Sequence, residues 1–240
     1  MIDARTRTVI ATVAVGDEPS RVTVSPDNRN VYVANVGSDD VSVISTRTRA
    51  VTVTVAVGVA PLGVAVASDG CTLYVANAAS GTVSVVRTAT ATVTGTIPVG
   101  SGPTALALTP DGRRLYVSNL TSDDVSVVDV HDGVESDRIP VGDQPAGIGV
   151  PPDGRQVYVA NIGSGTVSVI STRSRTVTDT VAVGDGPNGL AVGRDGSRIH
   201  VSNFDSDTLS VIDTSTARAT DTVAVGDGPT GMAAAHGKRA

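Results

Sequence analysis

Val157-Tyr158-Val159-Ala160-Asn161, followed by Ile162-Gly163-Ser164-Gly165-Thr166-Val167-Ser168-Val169, is one copy of a phrase that returns along the whole chain. It recurs as Tyr32 to Asn35, Tyr74 to Asn77, Tyr116 to Asn119 and, with His in place of Tyr, His200 to Asn203. The asparagines stand at 35, 77, 119, 161 and 203, a constant period of 42 with no insertion or deletion. A fixed period of this length marks a repeat architecture, in which each copy is one supersecondary unit stacked on its neighbours.

Working outward from the phrase, one period contains four short segments with strand character. Ala146 to Val150 is apolar and runs into Pro152-Asp153-Gly154. The same turn is Pro26-Asp27-Asn28, Ser68-Asp69-Gly70, Pro110-Asp111-Gly112 and Arg194-Asp195-Gly196 in the other copies. Pro presets φ, Asp bonds local backbone, and Gly or Asn accepts the left-handed conformation, so each is a tight hairpin. Strands are predicted at Gln156 to Asn161, Thr166 to Ile170 and Thr176 to Val183, the last alternating Thr, Val and Asp with Val and Ala as a strand with one wet face does. No segment has helical periodicity.

Four antiparallel strands per repeat, in tandem, predict an all-β fold, a β-propeller of four-stranded blades. The first strand of the later units supports this, because one of its faces carries small residues: Gly63, Ala65; Ala105, Ala107; Gly147, Gly149; Gly189, Ala191. Blades converge toward a central axis, where side chains have least room. Five complete units are present. An outer-type strand (Thr8 to Val15) precedes them and an inner-type strand (Thr230 to Ala235) follows. These ends are expected to meet in a thinned sixth blade, to be spare strands on a five-blade ring, or to pair with a second copy of the chain. One propeller domain over residues 1 to 240 is expected, with a flexible tail over 236 to 240.

Thr-Pro-Asp-Gly-Arg-Arg-Leu-Tyr-Val-Ser-Asn (109 to 119), Ser-Gly-Thr-Val-Ser-Val-Ile (164 to 170) and Val-Ala-Val-Gly-Asp-Gly-Pro (181 to 187) resemble the YVTN-type β-propeller repeat, and the likeness runs from residue 2 to about 235. The resemblance implies a propeller, commonly of seven blades, among relatives that include cell-surface and secreted proteins. A related propeller group includes a metal-dependent lyase that opens a cyclic depsipeptide antibiotic. The fold therefore does not select a function.

Composition excludes several classes. The net charge is −6 and the 18 basic residues are scattered, which argues against nucleic acid as a partner. The single Cys71 excludes an internal disulfide and a multi-cysteine metal site. No apolar run approaches the roughly 20 residues a membrane-spanning helix needs. The start, Met1-Ile2-Asp3-Ala4-Arg5-Thr6, lacks the apolar core of a secretory signal. A native start there implies the cytoplasm; a removed leader would imply the cell surface or exterior.

Candidate site residues are those that break the register. Each connection between blades shares a Gly and a Pro, as in Gly16-Asp17-Glu18-Pro19 and Gly184-Asp185-Gly186-Pro187-Asn188, while the residues between and after them vary. Asp17, Glu18 and Asn188 are therefore candidates for ligand binding. Arg21 stands where the other units have Gly63, Ala105, Gly147, Gly189 and Gly231. It would fork to a carboxylate or phosphate, or else pair with Asp17 or Glu18. Phe204 replaces Val36, Ala78, Leu120 and Ile162, as an apolar plug or a stacking surface, with Asp205 beside it.

Asp39, Asp40, Asp123, Asp124, Asp205 and Asp207 gather in the second loop but lack the spacing of a calcium loop, so solvated turns are the simpler reading and no cofactor is expected. His131, His200 and His236 occupy three different stations and are not expected to converge. The repeated asparagines and tyrosines are assigned to the scaffold, because every unit has them. The leading expectation is a non-catalytic propeller that binds a small molecule or a protein on its loop face. The alternatives are a lyase- or cyclase-type enzyme acting in a central funnel, and a structural, surface-displayed repeat.

Overall fold

The computed structural model describes residues 1–3 and 5–233, and it is built of β-strands joined by turns. The expected tail, with His236, lies outside the described residues. The chain divides into two compact units, the first ending at Ile97 and the second beginning at Pro98.

The first unit opens with a two-stranded hairpin, Ile2–Asp3 with Thr8–Val9. Blade one follows (Pro19–Val24, Asn30–Asn35, Asp40–Ser45, Ala50–Ala56), then blade two (Pro61–Val66, Thr72–Asn77, Thr82–Arg87, Thr92–Pro98). The second unit holds blade three (Pro103–Leu108, Arg114–Asn119, Asp124–Asp129, Val134–Pro140) and blade four (Pro145–Gly149, Gln156–Asn161, Thr166–Ser171, Thr176–Ala182). Blade five is Pro187–Val192, Arg198–Asn203, Thr208–Asp213 and Arg218–Ala224. Within each blade the strands pair antiparallel in chain order. The fold class is the expected β-propeller.

The ends differ from expectation. The strand predicted over Thr8 to Val15 is limited to Thr8–Val9, and residues 230–233 form no strand. Neither stretch has a full neighbouring strand to pair with, and an unpaired extended segment makes no ladder hydrogen bonds.

Blades stack through β-branched residues. In the first unit Tyr32, Val41, Val43 and Val55 of blade one form one buried cluster with Leu73, Val75 and Val86 of blade two. In the second unit Tyr158, Val167, Val169 and Val181 of blade four do the same with Ile199, Val201 and Ile212 of blade five. Each fully buried Val or Ile side chain contributes about 1.5–3 kcal/mol. Tyr32 and Tyr158 belong to these clusters; Tyr158 is fully buried, its hydroxyl donating to Gln156 Oε1 at 2.8 Å. Desolvation, aided by the carboxylates of Asp153, Asp179 and Asp213, pushes its pKa up to about 12.

The small face of the first strand has a direct cause. A Cβ on Gly147 would lie 2.6 Å from the Asn188 carbonyl oxygen and 3.1 Å from the Leu190 nitrogen, both on the first strand of blade five. At the same station, Gly231 has nothing within 4 Å of a Cβ position. Gly147→Ala is therefore expected to cost about 1–3 kcal/mol through forced backbone shifts, and Gly231→Ala close to nothing. Urea unfolding of the two variants checks this; equal losses would refute the packing account.

Candidate functional site

The structure separates two kinds of residue in the loops. The repeated ones form a latch. In every blade the Asn that ends the second strand is fully buried, and its Nδ2 donates twice across to the third strand. Asn161 donates to Thr166 Oγ1 at 3.1 Å and Ser168 Oγ at 2.9 Å; Asn35 to Asp40 Oδ1 at 2.6 Å and Ser42 Oγ at 2.9 Å. Asn77, Asn119 and Asn203 repeat the pattern. The amide thus grips the facing strand rather than its own turn.

The latch also dictates the connection to the next blade. A Cβ on Gly142 would sit 2.8 Å from Asn161 Nδ2 and 2.8 Å from Ser164 Oγ, so only glycine passes. Ser164 Oγ then accepts the Asp143 N–H at 2.7 Å, and Ser38 Oγ accepts that of Asp17 at 3.1 Å. In blades one, three and five a second acceptor is added. Asp39, Asp123 and Asp207 take the N–H groups of Ala60, Gln144 and Gly228 at 2.7–2.8 Å. These carboxylates, with Asp40 and Asp124 on the asparagines, hold loops in place. Among the described residues no group of His, Cys, Asp or Glu side chains is placed to hold a metal ion.

The hairpin aspartates are tied as the turn chemistry requires. Asp111 accepts from Thr109 Oγ1 at 2.5 Å and from the Arg113 N–H at 3.1 Å. These bonds, the hydroxyl first, hold its carboxyl below the usual value of 3.8, and Asp27 with Ser25 and Asp195 with Ser197 behave alike. Shallow grooves of about 300 Å³ lie beside such turns, one lined by Asp111, Arg114, Asp153 and Thr172 and a smaller one by Asp27, Asn30 and Asp69. Their recurrence at the junctions of blades one and two and of blades three and four marks them as products of the repeat.

The register-breaking residues fall in different places. Arg21 lies in the first strand of blade one and is half-buried. Desolvation lowers its pKa from the ordinary guanidinium value, and it has no ion-pair or hydrogen-bond partner among the described residues. Asp17 and Glu18 do not neutralise it. Both are exposed, and their carbonyl oxygens accept the N–H groups of Gly37 and Val36 at 3.0 Å. In the second unit, Asp205 is exposed and crowds Gly186, two residues before the half-buried Asn188. Phe204 is 45% exposed, so it is no plug; its ring edge lies against Gly228 of the following connection. His200 is half-buried within a strand and His131 is exposed in a turn. The serine acceptors of the latch were missed in the sequence reading, although Ser38, Ser80, Ser122, Ser164 and Ser206 keep the same 42-residue period.

The site geometry and the blades define a class of protein: a tandem-repeat β-propeller with a uniform scaffold and isolated departures from it. Comparison with known proteins agrees. A YNCE-like β-propeller family model matches residues 56–139 and a lactonase, 7-bladed β-propeller model matches residues 3–95. No curated protein matches the chain. Among solved structures, hydrazine synthase from Kuenenia stuttgartiensis superposes with a TM-score of 0.70 at 20% identity, over 94% of this chain and 92% of that one. A functionally unknown protein from Desulfotomaculum acetoxidans gives 0.76 at 19% identity, over 89% of this chain and 74% of that one. In all, 1585 chains match the structure, so the likeness speaks to the fold and selects no activity.

Two outcomes test the scaffold reading. Asn161→Ala removes two buried hydrogen bonds and is expected to cost about 1–3 kcal/mol in urea unfolding; an unaffected midpoint would show that the latch carries no stability. The hairpin aspartates have folded pKa values below 3.8, so their stabilisation is present above that pH and is lost as the pH falls through the folded values. Replacing Asp27, Asp111 and Asp195 together by Asn should flatten the loss of stability between about pH 4 and about pH 2, read as thermal midpoint against pH.

Proposed function

We propose that the protein is a non-catalytic binding propeller that takes an anionic group of a small molecule or of a protein partner at Arg21. The observation that carries this reading is a half-buried guanidinium without a counter-ion among the described residues, at a station where other blades hold Gly or Ala. An unpaired charge held out of water costs several kcal/mol, and arginine does not shed its proton. A carboxylate or phosphate would offset that cost by a bidentate pair. Asp17 and Glu18 on the adjoining connection would restrict which anions approach. Asn188, Phe204 and Asp205 are the corresponding departures in the second unit and offer a polar amide, an exposed aromatic face and a carboxylate to a ligand there.

The lactonase-model match over residues 3–95, a range that includes Arg21, favours one alternative, an enzyme acting on a small cyclic substrate. No metal or cofactor is part of the main reading. The full chain titrated with acetate, citrate and inorganic phosphate should show a saturable shift of the Arg21 Nε–H resonance. Arg21→Ala should weaken binding of the best anion about tenfold or more, the equivalent of roughly 1.4 kcal/mol, with the unfolding midpoint of the ligand-free protein raised, since the uncompensated charge is removed. The absence of a saturable shift with all three anions, or a collapse of stability with binding retained, would refute the assignment. Recovery of a bound cyclic ester in opened form would favour the enzyme.

A further inference from the structure

The groove at the junction of blades three and four, about 300 Å³, has the shape that the repeat gives it but a lining of its own. Arg113 and Arg114 share its walls with Asp111 and Asp153. At the junction of blades one and two the same groove keeps two carboxylates, Asp27 and Asp69, but has Asn30 where Arg114 stands. That station reads Asn30, Thr72, Arg114, Gln156 and Arg198 along the chain, so a blade folds without an arginine there.

Arg114 is poorly matched to its own blade. In blade four Gln156 Oε1 takes the proton of the Tyr158 hydroxyl at 2.8 Å. Arginine has donors only. Tyr116 is fully buried with its hydroxyl close enough to feel the Arg114 charge, yet that hydroxyl makes no well-formed hydrogen bond among the described residues. A buried hydroxyl left without an acceptor is a cost to the fold. Arg114 Nη1 donates to the Thr172 carbonyl of blade four at 2.7 Å, and the guanidinium closes no ion pair among the described residues. The nearby Arg175 is already paired with Asp137 at 3.5 Å. The two carboxylates of the groove are half-used as well. Asp111 Oδ1 accepts from Thr109 Oγ1 and the Arg113 N–H, and Asp153 Oδ1 from the Arg155 N–H at 3.1 Å, while neither Oδ2 has a partner among the described residues. Both signs of charge therefore face one cavity without pairing inside it.

We propose that this groove binds a small zwitterion, an α-amino acid, with its carboxylate on Arg114 and its ammonium between Asp111 and Asp153. A guanidinium meets a carboxylate through parallel N–H···O bonds, and an ammonium carries several N–H donors that two carboxylates can share. A ligand with a single charge answers only one side of the groove. A zwitterion answers both and leaves the net charge of the site unchanged. The groove belongs to the second compact unit, and the inference is independent of the reading at Arg21 in the first.

The full chain titrated with glycine, alanine, serine, glutamate and lysine is expected to show, for at least one of them, a saturable shift of the Gly154 amide resonance with a Kd tighter than about 1 mM. Acetate and methylammonium, with one charge each, should bind about tenfold or more weaker than the best amino acid. Arg114→Gln copies the residue of blade four and gives Tyr116 an acceptor, so the urea midpoint should hold or rise while affinity falls about tenfold or more. Asp153→Asn keeps an acceptor for the Arg155 N–H and should weaken the amino acid to a similar extent without weakening acetate. No saturable shift with any of these amino acids, undiminished binding by Arg114→Gln, or acetate binding as tightly as the best amino acid overturns the proposal, the last result marking a simple anion site.

Discussion

A buried asparagine side chain is the constraint on which the rest of this structure depends. One amide at the end of each second strand donates to two oxygens of the third strand, and by filling that corner it leaves the connecting chain no room for anything but glycine. A blade's internal pairing and its exit toward the next blade are thereby set by the same group. Buried polar groups of this kind are costly when unpaired and rigidifying when paired. Their presence in every blade explains why the loops, which carry most of the polar residues, are as regular as the strands.

The latch also limits where chemistry can reside. Serine and aspartate side chains that would look like a ligand-binding ring are already engaged with backbone N–H groups at 2.7–3.1 Å, and the asparagine Nδ2 groups with side-chain oxygens of the third strand. The asparagine Oδ1 atoms of four blades are buried without a hydrogen-bond partner among the described residues, so accessible bonding capacity lies with residues outside the repeat pattern. Arg21 is the clearest of them, because it carries a full charge into a half-buried position without a partner among the described residues. Phe204 and Asn188 are weaker departures, one an exposed ring and the other an amide on a first strand.

Much of the architecture was legible in the chain itself. The interval of 42 residues, the Pro-Asp-Gly hairpins and the alternation of Thr176 to Val183 name the unit, its turns and its wet strand. The strands Gln156–Asn161 and Thr176–Ala182 fall where the pattern puts them, the latter ending one residue early. The candidate site was legible only as a list of exceptions. Sequence register shows that Arg21 replaces glycine, but pairing with Asp17 or Glu18 was equally compatible with their closeness along the chain. The two acids in fact lie exposed, with their backbone carbonyls used by Val36 and Gly37.

The sequence by itself determined what is local and periodic: the repeat, its four strands, the turn chemistry and the small face of each first strand. These follow from short-range sterics and from side-chain alternation, which a linear string records directly. Tertiary structure alone decided which asparagine atoms meet which hydroxyls, that Gly147 faces the Asn188 carbonyl, and that Arg21 lacks a counter-charge among the described residues. It also decided that the Tyr158 hydroxyl has an acceptor in Gln156 while that of Tyr116, one repeat earlier, has none among the described residues. The reason is the same in each case: burial and pairing are properties of what stands opposite a residue in space, and identical residues in identical repeats acquire different roles where what faces them differs.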